Sequence, residues 1–248
     1  MHELVSLFYI LLIGSASGFI GSMVGSGGLI SIPLLIMFGL PAPVAIATDR
    51  MGSFGLSLGA VPKYWKAKKI VWSQIPLFFG IALVGGLLGA NIMLSFDQKL
   101  LSKLVGIIIV SVLPFILLKK DMGLHKLNKS KTKNILGYIV FFLVMIYAGF
   151  FGGGSGTLVI YTLIYFFGSI IVEATATSIV AWIPLSLLST LIFAMNGVVN
   201  YKYGIILFVG VAIGSYIGAH TAIKKGSKWI RSVFGTVVLI SCVKLLLF

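Results

Sequence analysis

Two short motifs of glycine and serine are the stretches of this sequence best suited to hold a small ligand. The first is Gly25, Ser26, Gly27 and Gly28, and the second, 129 residues later, is Gly154, Ser155, Gly156 and Thr157. Each lies between long apolar runs and has no charged neighbour, which predicts a helix that is broken inside a membrane. Broken backbone is tolerated at that depth only where it is buried in protein or lines a cavity.

The chemistry expected at these motifs is anion binding. A helix that begins just after each break would direct its free N–H groups and the positive end of its dipole at the cavity. The alternative is close helix packing by small residues, which we predict for Gly85, Gly89, Gly214 and Gly218. No Gly-Lys-Ser/Thr follows either motif and no βαβ context surrounds it, which excludes a P-loop and a dinucleotide fingerprint. We therefore predict that all eight motif residues bind substrate.

Polar residues inside the neighbouring apolar segments extend this candidate site. Thr48, Arg50 and Thr177 are predicted to complete the anion site, because ionisable and polar groups within a membrane are functional candidates. For the threonines, bonding to the backbone of their own helix is the competing interpretation. Asp49 and Glu173 are the coupling candidates, although Glu173 also suits the first turn of a helix.

The composition places these motifs in a membrane protein. The 248 residues are 59% hydrophobic and only 10% charged, whereas a soluble domain carries about 25% charged residues. No signal peptide is evident, since the start lacks a basic region. Apolar segments recur along the whole chain: 4–24, 29–39, 43–62, 71–95 and 100–118, then 134–151, 157–168, 172–195, 204–222 and 230–248. We predict an all-α polytopic membrane protein, in which 29–39 and 157–168 are too short to span.

The two sets of segments form a repeat. An offset of 129 residues aligns the glycine motifs, Ala47-Thr48 with Ala176-Thr177, and Gly89-Ala90 with Gly218-Ala219 without a gap. The sequence therefore predicts two repeats of about five hydrophobic segments, 1–118 and 134–248, joined by a basic linker, 119–133, within one integrated transport domain. Such repeats commonly form alternating-access transporters.

The charges predict that the repeats are inverted. The net charge is +14, and the lysines lie in short loops, which is the positive-inside pattern. The loop at 63–69 is strongly basic, whereas its counterpart at 192–198 carries no charge. Equivalent loops then face opposite sides, with the linker cytoplasmic and both termini extracytoplasmic. No loop is long enough for a nucleic-acid-reading module.

The sequence also bears on cofactors and partners. Cys242 is the single cysteine, which excludes an internal disulfide and a cysteine metal cluster. We predict no cofactor, no metal and no nucleic acid. The predicted partners are a small anion and the lipid bilayer, and homo-oligomer formation is left open.

Four stretches resemble the TauE/SafE family of sulfite exporters over nearly the whole chain. They are the segment 18–28 with Pro33 following, Ala-Thr-Asp-Arg-Met at 47–51, Lys-Lys-Ile-Val-Trp at 68–72, and the residues Gly-Ala-His, Lys-Lys-Gly and Ile-Arg within 218–231. The resemblance implies transport of small sulfur-containing anions, such as sulfite, thiosulfate or sulfonates, across the bacterial inner membrane. The family commonly has Asn where this chain has Asp49.

Three other functions compete with a secondary anion transporter. An anion channel and a non-transporting membrane scaffold are compatible with the same segments. A membrane-embedded enzyme would need paired carboxylates, a metal cluster or a nucleophile with its base. Asp49 and Glu173 lie at non-equivalent positions of the two repeats, with no histidine near them in sequence, so the enzyme is the weakest of the three.

Overall fold

The computed structural model describes residues 2–25, 27–97, 123 and 131–247, with the side chains of 2, 131–132, 227–228, 231 and 233–247 not described. Every regular element in these ranges is helical. The helices are α1 (His2–Val24), α2 (Gly28–Met37), α3 (Ala42–Lys66), α4 (Ile75–Ser95), α5 (Lys131–Phe150), α6 (Ser155–Phe167), α7 (Ile171–Met195) and α8 (Tyr201–Leu247), and a 3-10 turn, Trp72–Gln74, precedes α4.

Helix length separates membrane spans from shorter pieces. Within the described ranges, five stretches are long and apolar enough to cross a membrane: Glu3–Val24, Trp72–Ser95, Lys133–Phe150, Ile171–Met195 and Tyr201–Gly226. At 1.5 Å per residue, α2 and α6 extend only about 15 and 20 Å, against a hydrocarbon core of about 30 Å. The prediction of an all-helical, multi-pass membrane protein with two segments too short to span is confirmed.

The sequence repeat is also a repeat of helix boundaries. The 25 residues of α3 and the 25 residues of α7 are offset by 129 at both ends. The turn that begins at Trp72 and the helix that begins at Tyr201 have the same offset. In each half, therefore, a long helix, a short helix and two further long helices follow one another in the same order.

The packing of helices between the two halves is repeated as well. The first helix of each half lies along the fourth helix of the other, α1 on α8 and α5 on α4. Glycines bring these helices close, because a Cβ on Gly214 would strike the carbonyl of Ser15 and one on Gly89 would strike that of Ile146. The predicted packing role of these small residues is confirmed.

Two equivalent hydrogen bonds tie the halves together. The Oγ1 of Thr48 accepts a bond of 3.1 Å from the backbone N–H of Asn200. The Oγ1 of Thr177 accepts one of 3.0 Å from the N–H of Val71. Each buried threonine therefore satisfies a backbone group just before the fourth span of the opposite half.

Some predicted segments are described only in part. The segment 100–118 and most of the linker 119–133 lie outside the described residues. The segments 204–222 and 230–248 fall within the single helix α8, which is interrupted at Gly226, where φ is 76° and ψ is −175°. The interruption falls between the two segments because the left-handed φ of Gly226 cannot continue a helix.

The close approach of α1 to α8 gives a first testable prediction. Gly214→Ala should lower the unfolding free energy by about 1–3 kcal/mol, because its Cβ meets backbone rather than a flexible side chain. Thermal melting of the detergent-purified protein measures the change. Gly80→Ala in α4 is the matched control, since nothing lies within 4 Å of its Cβ position. Equal melting temperatures for the two variants would contradict this account of the packing.

Candidate functional site

Both glycine motifs interrupt the helical backbone. Between α1 and α2 the chain passes through Gly25, whose φ of 87° is left-handed, and α2 then begins with Gly27 as its N-cap. Between α5 and α6 it passes through Gly152 and Gly154, with φ of 82° and 77°. Only glycine adopts such values without strain. The predicted broken helices are confirmed at both motifs.

The two interruptions lie against each other. A Cβ on Gly25 would lie 2.9 Å from the carbonyl oxygen of Gly156, and one on Gly28 would lie 3.4 Å from the Cα of Gly153. No side chain fits between the first pair of backbones. Motifs separated by 129 residues in sequence are therefore neighbours in the fold.

A small cavity opens beside this junction. Its volume is about 20 Å³, which holds about one water molecule. It lies where α3 meets α7, the two equivalent helices. Ser57 bonds to the carbonyl of Ile179, whereas residues earlier in α3 share the cavity with residues later in α7, so the two helices cross in opposite directions. The lining residues are Gly25, Gly27, Asp49, Arg50, Ser53, Leu56, Gly152, Trp182 and Ser186.

Arg50 supplies the positive charge of the cavity. It is 3% exposed, and its Nη2 donates to the carbonyl of Ala148 in the last turn of α5. A cation is favourable there because the end of a helix carries partial negative charge. A Cβ on Gly152 would strike the guanidinium, so glycine at this position makes room for it. The Nε of Arg50 has no hydrogen-bond partner in the part of the chain that the structure describes.

Asp49 is held by hydroxyl groups. Ser31 of α2 donates to its Oδ1, and Ser53 donates to its Oδ2 over 3.4 Å. Ser17 of α1 extends the cluster, with its Oγ 3.4 Å from that of Ser31. The carboxylate, which is 4% exposed, is stabilised by donors from two helices. Asp49 and Arg50 thus have separate hydrogen-bond partners although they are adjacent in sequence.

Trp182 completes the cavity from the α7 side. Its indole is 5% exposed, and its Nε1 has no hydrogen-bond partner among the described residues. Arg50 Nε and Trp182 Nε1, on residues that line one cavity, are therefore two buried donors without an acceptor in that part of the chain. Leaving a buried donor unpaired costs about 1–3 kcal/mol, and native structures seldom do so. The arrangement is suited to a ligand that brings acceptor oxygens.

The structure separates the predicted site residues into three groups. Gly25, Gly27, Asp49 and Arg50 line the cavity, and Gly28 adjoins it, since its Cβ would lie 3.2 Å from Asp49 Oδ2. Ser26 lies outside the described residues. The others do not line this cavity: Thr48, Glu173, Thr177, Gly154, Ser155, Gly156 and Thr157.

The residues of that last group have other surroundings. Thr48 and Thr177 form the bonds between the halves, and Glu173 lies in the first turn of α7, as its helix-start interpretation expects. Ser155 donates to the carbonyl of Gly152 over 2.5 Å, which stabilises the turn beside Arg50. Thr157 is buried, and its Oγ1 has no hydrogen-bond partner within the described ranges. Substrate binding by these residues stays a prediction.

Sequence reasoning missed six residues that line the cavity or bond to Asp49: Ser31, Ser53, Leu56, Gly152, Trp182 and Ser186. Two of them had a usable signal. Ser53 lies four residues after Asp49, on the same helix face. Gly152 extends the second motif into a run of three glycines. Trp182 and Ser186 had none, because a helix crossing brings them to the site.

Metal ligands are not concentrated in the part of the chain that is described. No group of three or more His, Cys, Asp or Glu side chains occurs among residues 2–25, 27–97, 123 and 131–247 that could hold an ion. The polar groups that do converge are one guanidinium, one carboxylate, serine hydroxyls and an indole N–H.

These features define a multi-pass helical membrane protein with a small polar site buried between two structural repeats. The family model of the sulfite exporter TauE/SafE matches residues 10–245. The chain therefore belongs to the TauE/SafE family, as its sequence motifs predicted.

Curated relatives agree with this assignment. A probable membrane transporter protein of Haemophilus influenzae is 27% identical over 88% of this chain and 86% of its own length. The probable membrane transporter protein YfcA of Escherichia coli is 26% identical over 97% of this chain and 88% of its own. YunE of Bacillus subtilis, also a probable membrane transporter protein, is 24% identical over 96% and 97%. No solved structure matches the chain.

The contact between Gly152 and Arg50 gives a second prediction. Gly152→Ala should displace the guanidinium and weaken anion-dependent stabilisation of the purified protein at least tenfold in apparent affinity. Gly39→Ala is the matched control, because Gly39 also has a left-handed φ, 90°, but nothing lies within 4 Å of its Cβ position. Both variants carry the same type of backbone strain. Intact anion affinity in Gly152→Ala would show that the position of Arg50 is unimportant.

Proposed function

We propose that this protein is a secondary transporter that moves a small, sulfur-containing anion across the bacterial inner membrane by alternating access. One observation carries the proposal: Arg50 Nε and Trp182 Nε1, on residues that line one cavity, are buried donors with no acceptor among the described residues. An oxyanion offers several acceptor oxygens to such donors. A guanidinium is the side chain best matched to that geometry.

The helix interruption supports the anion as ligand. Gly27 lines the cavity at the N-terminus of α2, where unpaired N–H groups and the helix dipole favour negative charge. Broken helices at the interface of two repeats are the usual binding sites of secondary transporters. A guanidinium and an indole N–H donate hydrogen bonds to any small oxyanion. The choice of a sulfur-containing anion therefore rests on the family description.

The crossing of α3 and α7 supports alternating access. These helices are equivalent by the 129-residue offset and run in opposite directions where they meet, as an inverted repeat requires. The cavity of about 20 Å³ is too small for a four-atom oxyanion, so binding requires the halves to move apart. Motion of one half against the other would open the site to each side in turn.

The orientation follows from the distribution of lysines. The last turn of α3 and the loop after it contain Lys63, Lys66, Lys68 and Lys69, whereas residues 192–198, at the end of α7 and just after it, carry no charge. The positive-inside rule assigns the first loop to the cytoplasm and both termini to the extracytoplasmic side. We therefore propose that the protein is inserted in the inner membrane in this orientation.

The role of Arg50 gives a third prediction. Arg50→Gln should weaken the anion-dependent rise in melting temperature at least tenfold in apparent affinity, because it removes the charge of the cavity. Arg50→Lys should lose less, since it keeps the charge but not the planar fork. The measurement is thermal stabilisation by sulfite, thiosulfate, sulfate, a sulfonate and chloride. Lys202→Gln is the control, an exposed charge that contacts Glu3.

One outcome would contradict the role of Arg50, and two would contradict the transporter. Unchanged affinity in Arg50→Gln would remove this residue from the binding site. Flux through liposomes far above the turnover of a carrier would indicate a channel. Anion-independent melting together with no flux would indicate a scaffold.

Asp49 gives a fourth prediction, about coupling. An anion beside a buried carboxylate adds like charge in a low dielectric, so protonation of Asp49 should favour anion binding. Among the described residues, Arg50 is the only other charged residue that lines the cavity. Anion affinity of the wild-type protein should therefore rise as pH falls, and Asp49→Asn should bind anion with little dependence on pH.

Titrations of anion affinity at several pH values test this prediction, with proton uptake into liposomes as a second measurement. An unchanged pH dependence in Asp49→Asn would exclude coupling through this residue and leave anion transport standing.

A further inference from the structure

A second cavity lies at the end of α3, in the loop that joins α3 to the 3-10 turn before α4. It is much larger, about 450 Å³, and open to the surface. Two tryptophans and two lysines form most of its wall. The lining residues are Pro62, Trp65, Lys66, Lys68, Ile70 and Trp72.

The position of this cavity is interfacial. It begins in the last turn of α3 and ends at Trp72, the first residue of a candidate membrane span. Trp65 is 63% exposed and Trp72 is 50% exposed, and their rings meet edge to face with centroids 6.0 Å apart. Exposed tryptophans at the end of a span lie at the level of lipid headgroups.

The backbone of the loop singles out Lys68. Its φ is 55°, which makes it the only non-glycine residue with positive φ in the described part of the chain. Its N–H bonds to the carbonyl of Trp65, and the next N–H bonds to that of Tyr64, which closes the C-terminus of α3. Glycine is the residue expected at such a left-handed helix end.

The second repeat supplies an internal comparison. The position equivalent to Lys68 is Gly197, which has a φ of 68° at the end of α7. The same backbone turn therefore carries glycine in one half and a strained lysine in the other. Trp65 and Lys66 correspond to Ala194 and Met195. The basic aromatic cavity is thus a property of one repeat, and the turn does not require it.

Charge elsewhere in the loop could satisfy the positive-inside rule without strain at this position. Lys69 is the next residue and does not line the cavity. Lys63 lies over the ring of Tyr216, 3.9 Å from its centroid. A lysine at a position that favours glycine therefore indicates that its ammonium group has a function at this place in the loop.

We propose that this cavity binds the phosphate headgroup of an anionic phospholipid. The ammonium groups of Lys66 and Lys68 would pair with the phosphate, while Trp65 and Trp72 would pack against the glycerol and upper acyl chain. Basic pockets at the ends of membrane helices recognise lipid headgroups by this combination. A phospholipid is favoured over a soluble phosphate because the exposed tryptophans supply an apolar wall at the depth where acyl chains begin.

The test compares lipids on one protein. Detergent-purified protein is titrated with phosphatidylglycerol, with phosphatidylcholine and with soluble glycerol phosphate, and the melting temperature is followed. Phosphatidylglycerol should stabilise the protein, and the other two should not. Lys68→Gly should weaken that stabilisation about fivefold in apparent affinity, the contribution of one basic residue near an anionic surface. Glycine suits the left-handed φ, so this variant is expected to fold.

Lys69→Gln is the matched control, since it removes the same charge from the same loop outside the cavity. It should keep the full response to phosphatidylglycerol. The proposal is overturned if Lys68→Gly responds like the wild type, or if Lys69→Gln loses as much as Lys68→Gly, which would indicate general surface attraction. Equal stabilisation by glycerol phosphate would also overturn it, in favour of a soluble anion.

Discussion

The desolvation of a buried guanidinium must be compensated by polar partners, and the hydrocarbon around a membrane protein supplies none. Arg50 receives part of that compensation from the C-terminal end of α5, through the carbonyl of Ala148. Gly152 gives it room. The helix interruption after α5 therefore serves two purposes, because it ends a helix where a cation is stabilised and leaves space for the cation. The Nε–H of Arg50 finds no acceptor among the described residues.

The two-fold repetition of the fold explains where this residue can lie. Equivalent helices α3 and α7 meet at the centre, and each half uses a threonine to bond the start of a span in the other. The repeats differ at the cavity, where α3 contributes Asp49 and Arg50 and α7 contributes Trp182 and Ser186. A repeated backbone thus surrounds a cavity whose lining is chemically asymmetric.

The glycines divide by what they approach. Those along α1, α4, α5 and α8 let helices pack at short distance, whereas Gly25 and Gly152 allow left-handed turns at the interruptions. The distinction was visible in part from the sequence. Glycines at regular helical spacing predicted packing, and glycines clustered around serine predicted a break.

The sequence alone determined the helical membrane class, the two repeats, the positions of both interruptions and the family, because hydropathy, repeated motifs and short segments are local properties of the chain. It also drew attention to Asp49 and Arg50, since charge is rare in apolar segments. Only the tertiary structure decided which residues surround them. Trp182 reaches the site because two helices cross, and Thr48 is directed away from the cavity towards the backbone of Asn200. Contacts between residues more than a hundred positions apart depend on helix packing, which no local pattern in the chain records.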